Sequence, residues 1–263
     1  MLADTHCHLD FEAFDGDREQ VLERAARAGI EIILNPGVDL ASSRSAVGLA
    51  RTFPAVHAAV GVHPNEATQW QPGTPEILRN LAGNPRVVAI GEIGLDYYRD
   101  RAPRDLQKKI FQEQLGLAAE LGLPVIVHNR QATEDVLEIL IEWQTGLVNS
   151  GSLLAERPGV LHSYSEELEP ALRGIEHNFR IGFTGPVTFR NAPDLQRVAA
   201  GLPLDHLLIE TDAPFLTPHP YRGKRNEPAY VRLVAEKLAE LQGVAFESVA
   251  SWTTANAARL FDW

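Results

Sequence analysis

The chain is poor in several things. Its 263 residues include one cysteine, one methionine and four lysines. A single cysteine excludes an internal disulfide and fits a reducing compartment. No apolar run approaches membrane-spanning length, and no basic-then-apolar leader precedes Asp4. The expectation is therefore a cytoplasmic protein without a membrane partner. The formal net charge of −11 argues against a broad electrostatic grip on nucleic acid, which needs cations on phosphates. A small local site is a different matter, because metal ions at its centre would be the largest charges there. What the chain does have is apolar residues, at 44%, enough for a large core.

Those residues are patterned. Eight short β-branched runs, Leu2–His8, Glu31–Gly37, Val56–Val62, Val87–Glu92, Pro124–His128, Gly159–Ser163, Phe179–Phe183 and Leu207–Asp212, read as strands. Amphipathic stretches such as Asp17–Ala28, Leu106–Leu121, Thr133–Trp143, Arg190–Gly201, Pro228–Gln242 and Ser248–Phe261 lie between or after them. Eight strands with helical crossovers predict an α/β fold, a (β/α)8 TIM barrel, as a single domain over residues 1–263. Thr145–Pro158 is longer and richer in Gly and Ser than an ordinary connection and reads as a loop insertion.

Histidines and acids gather at the strand ends. On a strand, residues i and i+2 share a face, so His6 and His8 in Asp4-Thr5-His6-Cys7-His8 point one way and Cys7 the other. Glu92, His128, His162 and Asp212 end the fourth, fifth, sixth and eighth strands. Barrel closure brings all six to the C-terminal mouth, the face where barrel active sites are built. Four histidines and two carboxylates exceed the needs of one ion and suit two divalent ions, Mg, Mn or Zn. Histidine-rich ligation favours zinc or manganese, whereas magnesium prefers oxygen. Glu92 would bridge the ions, and Asp212 would take a proton from the attacking water as general base. Bridging through a lysine on the fourth strand is excluded, since Lys108, Lys109, Lys224 and Lys237 lie at no strand end. By the same parity Asp4 and Glu210 lie one layer deeper, where they would orient the histidines.

Substrate contacts are expected from the loops beyond. His63 follows the third strand, Asp96 the fourth and Arg130 the fifth. Pro220–Pro228 sets Arg222, Lys224 and Arg225 beside Tyr221 and ends in Glu227-Pro228. Cations interleaved with tyrosine suit phosphates and stacked bases.

Seven segments together resemble the TatD family of metal-dependent deoxyribonucleases, within the amidohydrolase superfamily. They are Asp4–His8, Gly61–Pro64, Gly91–Tyr98, Gly182–Phe189, Glu210–Pro214, Pro220–Pro228 and Thr254–Phe261, spread over nearly the whole chain. The resemblance implies a divalent-metal hydrolase that cuts DNA phosphodiesters, commonly from the 3′ end, with single-stranded DNA as partner. It carries metal binding onto His6, His8, Glu92, His128, His162 and Asp212. One departure stands out: the family's Cys-Phe-Ser-Gly is Ser163-Tyr164-Ser165-Glu166 here, which puts substrate preference on that side in question. A related hydrolase of small esters, lactones or amides is the alternative, since the same centre would serve it.

Overall fold

The computed structural model describes residues 1–99 and 101–263. Its strands are Leu2–Asp4 (β1), Ile30–Pro36 (β2), Val56–Val60 (β3), Val87–Asp96 (β4), Val125–Arg130 (β5), Gly159–Leu161 (β6), Arg180–Phe183 (β7) and Leu207–Ile209 (β8). They pair in parallel and in sequence order from β1 to β8. The helices are Arg18–Arg27 (α1), Leu40–Thr52 (α2), Thr74–Ala82 (α3), Arg104–Leu121 (α4), Thr133–Asn149 (α5), Leu168–Glu176 (α6), Pro193–Gly201 (α7), Val231–Gln242 (α8) and Phe246–Phe261 (α9). This is a nearly closed eight-stranded barrel of alternating β and α units, as the patterning predicts.

The strands are apolar on both faces because both faces are covered. Val125, Ile126 and Val127 are all fully buried, and every residue of β4 is buried. Alternate residues feed two cores. Ala3, Leu34, Ala59, Ala89, Ile126, Val160 and Leu208 fill the barrel interior, where Leu260 and Phe261 from the end of α9 pack against them. Ile33, Ala58, Val60, Ile90, Val125 and Leu207 belong to the larger core packed between barrel and helices.

Closure between β8 and β1 is made by residues beyond the strands. Thr5 N–H donates to Ile209 O, Asp212 N–H to His6 O and His8 N–H to Ala213 O. Asp4 completes the seam by accepting from the Thr211 N–H at 2.9 Å and the Thr211 hydroxyl at 2.6 Å. Burial pushes the Asp4 carboxyl up to about 8 against the pull of these bonds.

Two local expectations need correction. β4 runs on to Asp96 and β5 to Arg130, so Glu92 and His128 lie within strands instead of ending them, whereas β1, β6 and β8 stop before His6, His162 and Asp212. The chain nevertheless stays extended past β1, with Cys7 bridged to Ala213, so the two-residue parity persists without a ladder. Thr145–Pro158 is not a loop throughout. Residues 145–149 finish α5, and a 3-10 turn at Leu153–Glu156 folds Leu154 and Ala155 onto Leu147 and Trp143. The apolar spacing of Trp143, Leu147 and Leu154 outweighs the local glycines and serines.

Candidate metal centre

The ends of six strands converge on a small volume. His6 Nε2 and His8 Nε2 lie 3.2 Å apart, and Asp212 Oδ1 is 3.7 Å from the first and 3.5 Å from the second. Glu92 divides its oxygens: Oε2 is 3.4 Å from His6 and 3.7 Å from His8, while Oε1 is 2.8 Å from His128 Nδ1 and 3.8 Å from His162 Nε2. The His6 and His162 rings stack at 3.5 Å. Three sets of potential ligand atoms result, His6–His8–Asp212, His6–Glu92–His162 and His63–Glu92–His128, each with its atoms within 4.8 Å of one another. All six residues expected at a metal centre are therefore brought together. His63, expected at the mouth outside that set, stands with them. Its Nδ1 accepts from the Asn65 N–H, which turns Nε2 to 3.6 Å from Glu92.

The donor set fits divalent cations. The inward-facing atoms are lone-pair donors crowded together: His6 Nε2, His8 Nε2 and Asp212 Oδ1 lie within 3.7 Å of one another, an arrangement that a shared cation would hold. Imidazole nitrogens with carboxylate oxygens are the ligand chemistry of zinc and manganese. The electrostatics point the same way. Burial alone would raise the Glu92 carboxyl, yet the imidazoles of His63, His128 and His6 around it hold it well below its usual range. Asp212 is likewise held down against burial, chiefly by its contact with His8. Burial lowers His63 to about 3, with the nearby His128 adding to the effect, so His63 is neutral at ordinary pH.

Deeper acids hold the rings. Glu210 Oε2 lies 2.9 Å from His162 Nδ1 and also accepts from the Ser163 N–H, leaving Nε2 aimed at the centre. Glu210 overcomes the effect of burial and raises His162 to about 9. Glu210 is thus placed to orient a histidine. Asp4 is not: it meets Thr211 and the His6 backbone, because its side chain lies in the seam beside the eighth strand. Asp212 itself has φ +54°, a left-handed conformation that aspartate tolerates better than most residues.

Above the centre opens a cup of about 850 Å³. His63, Asp96 and Arg130 line it, as do Arg99 and Arg101. Asp96 is almost fully buried, accepts from the Tyr98 and Arg99 N–H groups, and lies 3.4 Å from His128 Nε2. It is placed to shape the loop and steady His128. Arg222 and Glu227 lie outside the cup. Arg222 stacks 4.0 Å above Phe189, and Glu227 forms an ion pair with Arg24 at 2.7 Å. Arg225 pairs with Asp17 at 2.7 Å, so Pro220–Pro228 is in part a clamp onto α1. In the departing segment, Ser163, Tyr164 and Ser165 line the cup, and Glu166 does not occupy a positive-φ position that would call for glycine. Sequence reasoning missed Phe11, Asn65, Phe215 and Leu216, which also line the cup. Their one signal is proximity: Phe11 follows His8 by three residues, and Phe215 follows Asp212 by three.

Comparison with known proteins agrees with this geometry. A family model described as TatD related DNase matches residues 3–262. The chain is 45% identical to the uncharacterized metal-dependent hydrolase YabD of Bacillus subtilis, over 99% of both proteins. It is 36% identical to the 3'-5' ssDNA/RNA exonuclease TatD of Salmonella typhimurium, over 98% of both. The crystal structure of YJJV, a TatD homolog from Escherichia coli K12, superposes with a TM-score of 0.92 at 33% identity, covering 100% of this chain and 98% of that one. The chain belongs to the TatD-related DNase family and is a metal-dependent hydrolase of that family.

Proposed function

We propose that this chain, acting as a single domain, is a divalent-metal-dependent exonuclease that trims single-stranded DNA from the 3′ end. The observation that carries the reading is the arrangement of the mouth: a Glu92-centred cluster of histidines at the base of a cup whose rim bears Arg99, Arg101 and Arg130. His6, His8, Glu92, His128, His162 and Asp212 would hold two ions, with His63 adjoining the Glu92–His128 pair. Such ions lower the pKa of bound water and offset charge on a phosphate. Glu92, kept ionised by its imidazole neighbours, presents one oxygen to each half of the cluster. Asp212, also ionised, is partly open to the cup and positioned to take the proton of the attacking water. His63 presents Nε2 to the cup as a neutral donor for a phosphate oxygen. The rim arginines supply charge-assisted contacts to neighbouring phosphates.

The floor supports end-trimming. Side chains fill the barrel below the cluster, so a strand cannot thread through and its scissile phosphate has to be lowered from above. A free terminus does this readily, and the Salmonella relative's name supplies the 3′ polarity. The test is one sequence offered as linear and as covalently closed circular single-stranded DNA, with Glu92→Gln protein as control. Rapid loss of the line and survival of the circle are expected. Equal cutting of both would overturn the exonuclease reading. A second reading, hydrolysis of small esters or lactones, draws on the apolar side of the cup, and turnover of such esters with inert oligonucleotides would favour it.

A further inference from the structure

The two sides of the cup differ in kind. On the side of β4 and β5, Arg99, Arg101 and Arg130 are exposed, and the Arg130 guanidinium is steadied 4.1 Å above the Tyr98 ring. Across the barrel, the loops after β1 and β8 present Phe11, Phe215 and Leu216. Phe11 packs on the His8 ring at 4.7 Å and meets the Phe215 ring edge-on at 5.9 Å. The aromatic pair therefore begins one ring away from the histidine cluster. Phe215 is 51% exposed and Leu216 37% exposed, so neither is needed to fill the core. Large apolar side chains left facing a polar centre mark a surface for a ligand that is itself flat and apolar on its faces.

We infer that the Phe11–Phe215 wall stacks the base of the nucleotide being released, while the arginine side carries the phosphates of the strand that remains. The inference rests on the nuclease reading above and deepens it. Only one occupant matches both sides at once. An isolated phosphate has no use for the phenylalanines, and a neutral ester has none for three arginines. A nucleotide at the end of a strand has a π-face on one side and a chain of anions on the other. Because every base has a π-face, such a wall accepts any base and rejects a missing one.

The experiment compares single-turnover trimming of two oligonucleotides, one with an ordinary terminal nucleotide and one whose terminal nucleotide is abasic. The native protein is expected to favour the ordinary terminus by roughly ten- to a hundredfold, the range for base–aromatic stacking. In Phe215→Ala that preference should collapse toward unity. A binding readout separates stacking from chemistry. A terminal 2-aminopurine should be quenched on binding Glu92→Gln protein, and the quenching should weaken in Glu92→Gln/Phe215→Ala. Phe215→Leu keeps the apolar bulk without the ring and should restore the preference only in part. An equal loss on both substrates in Phe215→Ala, or an unquenched probe that nonetheless binds, would overturn the wall assignment while leaving the nuclease reading in place. Failure of the native protein to trim any oligonucleotide would overturn both.

Discussion

The two ends of this barrel are built from the same strands and are chemically opposite. At the mouth, the buried His6, His8 and His162 and the half-buried His128 face two carboxylates. At the floor, Ala3, Leu34, Ala59, Val160 and Leu208 meet Leu260 and Phe261, with Trp263 stacked 4.8 Å from Phe261. The difference lies in a few residues per strand. β4 passes from Val88 and Ala89 at the floor to Glu92 and Asp96 at the mouth. Stability and chemistry are thereby separated along the barrel axis, and each can be perturbed without the other.

The sharpest way to break that separation is at the mouth. Glu92→Gln and Asp212→Asn should each reduce hydrolysis by about 10²–10⁴-fold, because an amide can neither bridge as an anion nor accept the proton. Thermal unfolding should stay close to that of the native protein, measured after chelation and remetallation. At the floor the order reverses. Phe261→Ala should cost about 3–5 kcal/mol of stability in urea titrations, the usual cost of a large core deletion. The folded fraction should keep its activity. If Glu92→Gln destabilised the barrel as much as Phe261→Ala, the two ends would not be separable.

Smaller effects test how the mouth is held. Glu210→Gln should weaken metal affinity by about 10–100-fold, read by competition with a chelating dye. Protons should compete with metal at His162. Its folded value of about 9 lies above its reference of 6.5, so its charge stabilises the metal-free protein fully below 6.5 and ceases to do so as pH rises through about 9. Metal takes the neutral ring, so affinity should climb with pH up to about 9, with proton release visible by calorimetry in buffers of different ionisation heat. The smallest changes concern the cations. Arg130→Ala should lower the salt slope of oligonucleotide binding by about 1. Arg225→Ala should leave the slope alone and cost no more than about 1 kcal/mol of stability, as a half-exposed ion pair.

The barrel and the histidine cluster were legible because both follow short-range rules. β-Branched runs mark strands, and a histidine or acid just after such a run lands at the mouth whether or not the ladder reaches it. His6 and His8 keep their shared direction although β1 stops at Asp4. The loops obeyed no such rule. Nothing local says that Arg225 will meet Asp17, or Glu227 meet Arg24, about two hundred positions away, and those acids draw the cations from the substrate side. Asp4 and Glu210 look equivalent by parity, yet only Glu210 reaches an imidazole, since strand order places β6 and β7 on its side.

The seam between the first and last strands has a consequence for how the protein comes into being. Asp4 and Thr211 are 207 residues apart, and the His6–His8–Asp212 set spans nearly as wide a gap. A chain emerging from the ribosome displays His6 and His8 early and gains Asp212 only when about four-fifths of it has been made. Joining such distant segments carries a large loop-closure cost and belongs late in folding. A half-made chain therefore has no complete His6–His8–Asp212 site, and filling that site becomes an act of the finished protein. Residues 1–200, released from synthesis, should hold fewer zinc ions than the finished protein, the His6–His8–Asp212 site being the one they lack.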